Sequence, residues 1–496
     1  MMVTSTRSWV RSIAATATSI AALVTVLVVP AAAEPQSGGW TTPRLTVAHR
    51  DITDVTGRTV ILRGVNANHL VEYAQNGQPL ATVVPESDVD YADMAALGFN
   101  VVRLNVSWSQ LEPTRGAFNR AYVDRIRQAV DQAKAHGIYT VLDMHQDAWG
   151  PTIGTPRGAE CPGPLQPGIG WDGAPGWATI TDGWTTCTIA GQREAAPGVA
   201  RAFQNFYDDR NGIQGRLVAT WARLAGEFKN EPAVAGYDLL NEPNPGLREP
   251  IGAADQIGRF YQRAIRAIRV AERGGFEHLA IVEPSALWSA FGTDVLPPAK
   301  YLTDPRVVFS PHLYSGSINV SNDIPSVEQG FQIAKNAAAV YNAPLWTGEW
   351  GWWSDPSRRA SDVARFMRSA DAHRIGGAWW SWAQACGDPH AVKGDDTLND
   401  QHHLNIVACP SGVMTGLDRS VAAVLGQAFP RAVPGRLTRT DKRGFAGVGT
   451  GRVEAWIPGS ARPTAKTTGL SDVELIQVDG GWQFIARSAG RYSASF

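Results

Sequence analysis

Two carboxylates stand out by position. Glu242 ends the apolar run of "YDLLNEPNPG" (237–246), and Glu349 ends that of "LWTGEWGWW" (345–353). A buried carboxylate without a partner is costly, but two that open into one cavity have a chemical use. Such a pair cleaves a glycosidic bond: one carboxyl protonates the leaving oxygen, and the other attacks the anomeric carbon or activates water. The tryptophans around Glu349 would shape a sugar-binding wall. An Asn-Glu pair is also how many strands end and helix caps begin, so the rest of the chain has to bring the two glutamates together.

Eight β-type runs could do so: 60–67, 100–108, 139–147, 234–243, 278–285, 307–314, 344–351 and 376–384. Helical runs such as "AYVDRIRQAVDQAKAHG" separate them, with apolar residues at three-to-four spacing and a closing glycine. This order predicts an α/β fold, a (β/α)8 TIM barrel. The alternative, an open doubly wound sheet, lacks a Gly-rich loop after its first strand. Arg103, Asn105, His145, Asp147, Asn241, Glu242, His312, Tyr314, Glu349 and Trp382 all fall in the later halves of their strands, where a barrel builds its active site. Strand alternation puts Trp380 and Trp382 on one face, and Trp382, nearer the strand end, is the expected sugar contact.

The same residue types allow other chemistries. Asp143, His145 and Asp147 share a strand face and would suit a zinc hydrolase. No complementary His-rich motif stands nearby, so no metal or other cofactor is expected, and Asp143 is read as structural. Arg103 is either a barrel-interior salt bridge or the partner of Glu349. Asp395–Asp396 could bind calcium, but a solvated loop is the reading preferred.

A formal net charge of −1 and 18% charged residues exclude the basic surface of a nucleic-acid binder. Arg7 and Arg11, a following apolar stretch and small residues at Ala31 and Ala33 read as a secretory signal over 1–33, cleaved before Glu34. The expected location is extracellular. There the four cysteines should be oxidised, with Cys161–Cys187 and Cys386–Cys409 the simplest of three pairings. The Gly/Pro/Trp-rich segment 149–211 is too long for an ordinary barrel loop and is expected to touch substrate. Its Trp171, Trp177 and Trp184 could be lid core or ligand contacts. Alternation with Gly turns after Pro430 predicts a small β-sandwich over 431–496, leaving 34–430 to the barrel.

"DLLNEP", "PHLY" and "TGEWG" together resemble motifs of the retaining, cellulase-like glycoside hydrolases of family 5, over roughly residues 45–430. "DMHQDAWG" and the C-terminal β-region are similar to the endoglycoceramidases, which cut the β-bond between a glycan and a lipid. The resemblance implies Glu242 as acid/base, Glu349 as nucleophile, and Asn241 on the sugar 2-hydroxyl. Arg103 would steady Glu349, and Tyr314 would touch it. His145 and His312 would line the reacting-sugar site, Asp147 would bind a hydroxyl, and Trp382 would form the platform. One departure is that "GVNANHLVEYAQNG" lacks the sugar-contacting lysine of those enzymes. The expected function is a secreted, monomeric β-glycosidase acting on a glycolipid or other β-glycoside, with transient contact to a membrane surface and an apolar groove for the tail. An endo-acting polysaccharidase is the alternative; a non-catalytic carbohydrate-binding protein would leave both glutamates unexplained. Arg103 is expected to keep Glu349 ionised while Glu242 holds a proton.

Overall fold

A computed structural model describes residues 39–77, 79–189, 191–318, 324–353, 356–390 and 403–496. The expected signal segment and Asp395–Asp396 lie outside these residues. Three short strands come first: β1 (Leu45–Ala48), β2 (Asp51–Asp54) and β3 (Arg58–Val60). Eight parallel strands follow: β4 (Arg63–Leu70), β5 (Val101–Ser107), β6 (Tyr139–His145), β7 (Val234–Asp238), β8 (Leu279–Val282), β9 (Val307–Phe309), β10 (Thr347–Trp350) and β11 (Gly377–Trp379). They pair in the order β10-β11-β4-β5-β6-β7-β8-β9. A parallel bridge from Phe309 to Leu345, just ahead of β10, closes the ring.

Side chains alternate along each strand, so one inward row runs from apolar to polar. On β5 it reads Val101, Arg103, Asn105, and on β6 Val141, Asp143, His145. Val101 and Val141 join Leu62, Ile281, Val308 and Trp346 in an apolar plug at the N-terminal end of the barrel. Above the plug the interior is polar. The outward faces pack on helices such as Arg120–Ala135, whose N-cap Asn119 accepts a hydrogen bond from the Tyr122 N–H.

A β-hairpin, β12 (Asn405–Ala408) and β13 (Val413–Leu417), precedes the strands of the last domain: β14 (Phe429–Pro434), β15 (Arg436–Asp441), β16 (Gly444–Pro458), β17 (Lys466–Val478) and β18 (Gly481–Ser495). These form an antiparallel sheet ordered β1-β2-β3-β14-β16-β18-β17, with β15 on β16. The lead-in strands, placed with the barrel from sequence, therefore belong to the C-terminal sheet. Pairing of Val60 with Ala432 joins them, and Arg58 pins the junction by pairing with Asp54 at 2.6 Å and Glu454 at 2.9 Å. A local hairpin signal could not reveal a pairing across some 370 residues.

The segment after β6 is held by aromatic packing. Trp149 meets Phe203 at 4.9 Å between ring centroids, and Trp108 meets Trp177 at 5.3 Å. A disulfide joins Cys161 to Cys187 within it, and another joins Cys386 to Cys409 beyond β11.

Trp456, fully buried, docks the sheet on the barrel and donates from Nε1 to the Gly426 carbonyl at 2.9 Å. Gly98 faces its ring: a Cβ there would stand 2.4 Å from the indole, at a φ of +80°. Gly98→Ala should cost about 1–3 kcal/mol in backbone strain and a further ~1–3 kcal/mol in overpacking. Gly116→Ala, at φ +85° with nothing within 4 Å, should carry only the first cost. Urea-unfolding midpoints of the two variants check this difference.

Candidate active site

Glu242 follows β7 and Glu349 lies on β10. An oxygen of each and a nitrogen of His312 all lie within 4.8 Å of one another. His312 Nδ1 sits 2.8 Å from Glu242 and 3.6 Å from Glu349, and its Nε2 is 3.2 Å from Glu283. The Ser289 hydroxyl also donates to Glu242, and the Tyr314 hydroxyl donates to Glu349 at 2.5 Å. The Glu242 backbone has φ +36°, a conformation that side chains rarely adopt. Glu283 Oε2 holds that backbone by accepting from its N–H at 2.8 Å.

Arg103 is wholly buried below the pair. It contacts Asp143, Asp238 and Glu283 at 2.9 Å and Glu349 at 3.3 Å. It also donates to Asn66 and Asn241. Asn241 is fixed on both ends, because its Nδ2 donates to the Gln146 carbonyl at 3.0 Å, with one amide hydrogen left without a partner among the described residues.

The directions of the shifts run opposite to those expected. Burial pushes Glu242 up, but the hydrogen bond and charge of His312 outweigh it and hold the carboxyl below its usual range. Glu349 is raised: burial outweighs His312 and the shared Arg103, and the charge of Glu242 adds to it. His312 itself is held protonated, burial being overcome by Glu283, Glu349 and Glu242. Arg103 steadies Glu349 less than expected because three other carboxylates divide its charge.

The far wall is built from three segments. His145 Nδ1 binds Asp143 at 2.7 Å, and its ring stacks on Trp380 at 5.3 Å and 12°. Asp147 accepts from Arg193 at 2.8 Å and lies 3.1 Å from His390 Nε2. Asp172 accepts from the Asp147 N–H at 3.0 Å, and its second oxygen has no hydrogen-bond partner among the described residues. Asp172 and Arg193 come from the 149–211 segment, so that segment reaches the site. Trp177 and Trp184 do not: Trp177 donates to the Glu112 carbonyl, and Trp184 lies exposed under Arg201. Trp171 carries the Arg193 guanidinium 3.9 Å over its ring.

Trp382 is a correction. It is fully buried and donates from Nε1 to Asp90 at 3.0 Å, away from the glutamates. β11 ends at Trp379, so strand alternation does not extend to 382, and Trp380 takes the wall position. The sequence reading also passed over Glu283, Asp238, Asn66, Asp172, Arg193 and His390. Glu283 ends a strand much as Glu242 does, which was a usable signal. Arg193 and His390 stand in loops with no local pattern to mark them.

The acidic clusters that resemble metal sites each enclose a protein cation. Arg103 sits among Asp143, Asp238 and Glu283, while His312 sits between Glu242 and Glu349. His145, lifted by Asp143 and Asp172 against the effect of burial, stands with Asp147 and Asp172.

Residues 54–385 match the family model for cellulase, glycosyl hydrolase family 5. A solved endogalactoceramidase is 65% identical, with a TM-score of 0.90 over 91% of this chain and 99% of that one. Endoglycoceramidase I of Rhodococcus hoagii (strain 103S) is 30% identical over 353 residues, 66% of each protein. The ganglioside GM3 complex of endo-glycoceramidase II from Rhodococcus sp., 24% identical, shares the fold with a TM-score of 0.70 over 90% of this chain and 99% of that one.

Two outcomes follow from the wall. Trp382→Phe, losing one buried hydrogen bond, should cost about 1 kcal/mol of stability and leave turnover of a β-glycoside unchanged. Trp380→Phe should lower kcat/KM by roughly threefold to tenfold, and parallel melting and kinetic measurements separate the two. The second outcome concerns pH. Asp388 and Asp147 raise His390 to about 9, against burial. A raised imidazole stabilises the fold below its unfolded value, near 6.5, and loses that contribution as pH climbs through 9. Stability should therefore fall between about pH 6.5 and 9, and His390→Gln should flatten this slope in melts across that window.

Proposed function

The chain belongs to glycosyl hydrolase family 5, and on that footing we propose that it hydrolyses the β-glycosidic bond between glycan and lipid with retention of configuration. The observation that carries the mechanism is the approach of Glu242 and Glu349 to within 4.8 Å, oxygen to oxygen. Retaining pairs stand about 5–5.5 Å apart, whereas inverting pairs need roughly 6.5–9.5 Å to admit a water.

In this reading Glu349 attacks the anomeric carbon while Glu242 delivers a proton to the leaving oxygen. Water then enters, gives its proton to Glu242 and frees the sugar from Glu349. The directions of the two shifts, Glu349 up and Glu242 down, run against these roles, so the reacting sugar has to bring the proton to Glu242. Positive charge growing at the anomeric carbon favours an ionised Glu349, and negative charge on the leaving oxygen favours a protonated Glu242. His312 Nδ1, standing between the two, is the natural path. Tyr314 and Arg103 hold the attacking carboxylate, and the spare Asn241 amide hydrogen suits the 2-hydroxyl. His145, Asp147 and Asp172 offer partners to the remaining hydroxyls, with Trp380 as the wall.

The 65%-identical endogalactoceramidase and the 30%-identical endoglycoceramidase I support a glycolipid substrate. So does the surface beside Glu242. The helix carrying Ser289 exposes Phe291 (49%), followed by Val295 (40%). Ile324 is 74% exposed, and the next residue, Pro325, abuts Gly292. A lipid tail leaving Glu242 would lie along this apolar rim, and the rim would touch a bilayer transiently. The two disulfides support an extracellular location.

Glu242→Gln should lose far less activity on β-glycosides with activated leaving groups than on natural ones, because the former need no acid in the first step. Equal loss on both would reassign Glu242. The substrate itself is tested with long- and short-tailed versions of one β-glycoside, since buried apolar surface contributes roughly 25 cal/mol per Å². A higher kcat/KM for the long tail is expected; no gain, together with faster cleavage of soluble glucan, would favour the polysaccharidase.

A further inference from the structure

At the end of the barrel opposite the glutamates, a cavity of about 270 Å³ opens between the strand N-termini and the antiparallel sheet. Its inner wall is apolar: Ile52, Val60, Leu62 and Trp346. Its lining carries Arg50, Lys335, Arg374 and Arg436, with His49 and His373, against a single carboxylate, Asp51. None of the four cations makes an ion pair with another described residue. Burial pushes Asp51 up, while Arg374, His49, Arg50 and Arg436 pull it down, and one carboxylate faces four cations.

The backbone adds a second observation. His49 and Arg50 form the β1–β2 turn with φ of +53° and +64°, and Arg374, just past the helix Pro356–His373, has φ +60°. Two-residue turns with both φ positive favour Asn-Gly, and the position after a helix favours glycine. Three basic or imidazole side chains thus occupy three places where glycine or asparagine would be less strained, and all three line one cavity. Strain retained at a concave, charged site points to a ligand.

We propose that this cavity binds a multiply charged oxyanion, a phosphate group. Arginine forks match phosphate oxygens, and four cations around one cavity add their attraction for a multiply charged anion. The source is a free phosphate or phosphomonoester, or else a phospholipid headgroup.

The test uses the full chain and the variant Arg50→Gly/Arg374→Gly, whose substitutions relieve positive φ and should not impair folding. At matched ionic strength, inorganic phosphate in place of chloride should raise the melting temperature of the parent by at least about 2 °C. Calorimetry should show binding weakened at least tenfold in the variant, while β-glycoside turnover is retained. Soluble glycerol phosphate reproducing the shift would identify a free phosphate. Co-sedimentation with vesicles containing phosphatidic acid, but not with phosphatidylcholine vesicles, would identify a headgroup. Equal effects of chloride and phosphate, or the same phosphate response in parent and variant, would overturn the proposal.

Discussion

Arg103 sits at the centre of the barrel with no exposed surface, and its guanidinium is where four strands meet. It reaches Asp143 from β6, Asp238 from β7, Glu283 just past β8 and Glu349 from β10. Four carboxylates could not be gathered inside the barrel without this cation, since isolated buried charges are strongly disfavoured. Removing one partner of such a network typically costs about 3–5 kcal/mol. Lysine would not substitute, because a point charge cannot present the planar fork that addresses several carboxylates at once.

The same cation sets the chemistry by being insufficient. Arg103, His145 and His312 face more acids than they can neutralise, so some carboxyls are shifted upward. Burial and the neighbouring Glu283 raise Asp238, while burial and Glu242 raise Glu349. The two glutamates are thus shifted in opposite directions, Glu349 up and Glu242 down. Glu283 connects the charge network to the backbone: it binds Arg103, touches His312 and fixes the strained Glu242 main chain. Glu283 thus ties both glutamates to the same charge network.

Much of this was legible in the sequence. Eight β-type runs gave the barrel because each is short, buried and separated by a helix of 3.6 periodicity. Glu242, Glu349, His312 and Tyr314 were legible because each lies at or just past the end of a strand, where a barrel opens. What escaped the sequence depends on contacts between distant segments. Trp380 displaces Trp382 because the strand stops at Trp379, and strand ends are not marked by periodicity. Arg193 and Asp172 meet Asp147 only after a loop held by aromatic packing folds back. The N-terminal strands join the C-terminal sheet through a pairing that no local pattern encodes. The opposite directions of the two glutamates' shifts rest on burial and on a His312 hydrogen bond that reaches Glu242 at 2.8 Å but leaves Glu349 at 3.6 Å.

The central claim is that Glu349 forms a covalent bond to the sugar while Glu242 serves as its acid and base. It is tested most directly by trapping. A 2-deoxy-2-fluoro β-glycoside with a good leaving group should inactivate the enzyme and add one fluorosugar mass per chain, located by peptide mapping on the fragment containing Glu349. A label on Glu242, or turnover that releases the inverted anomer with no adduct, would contradict the account.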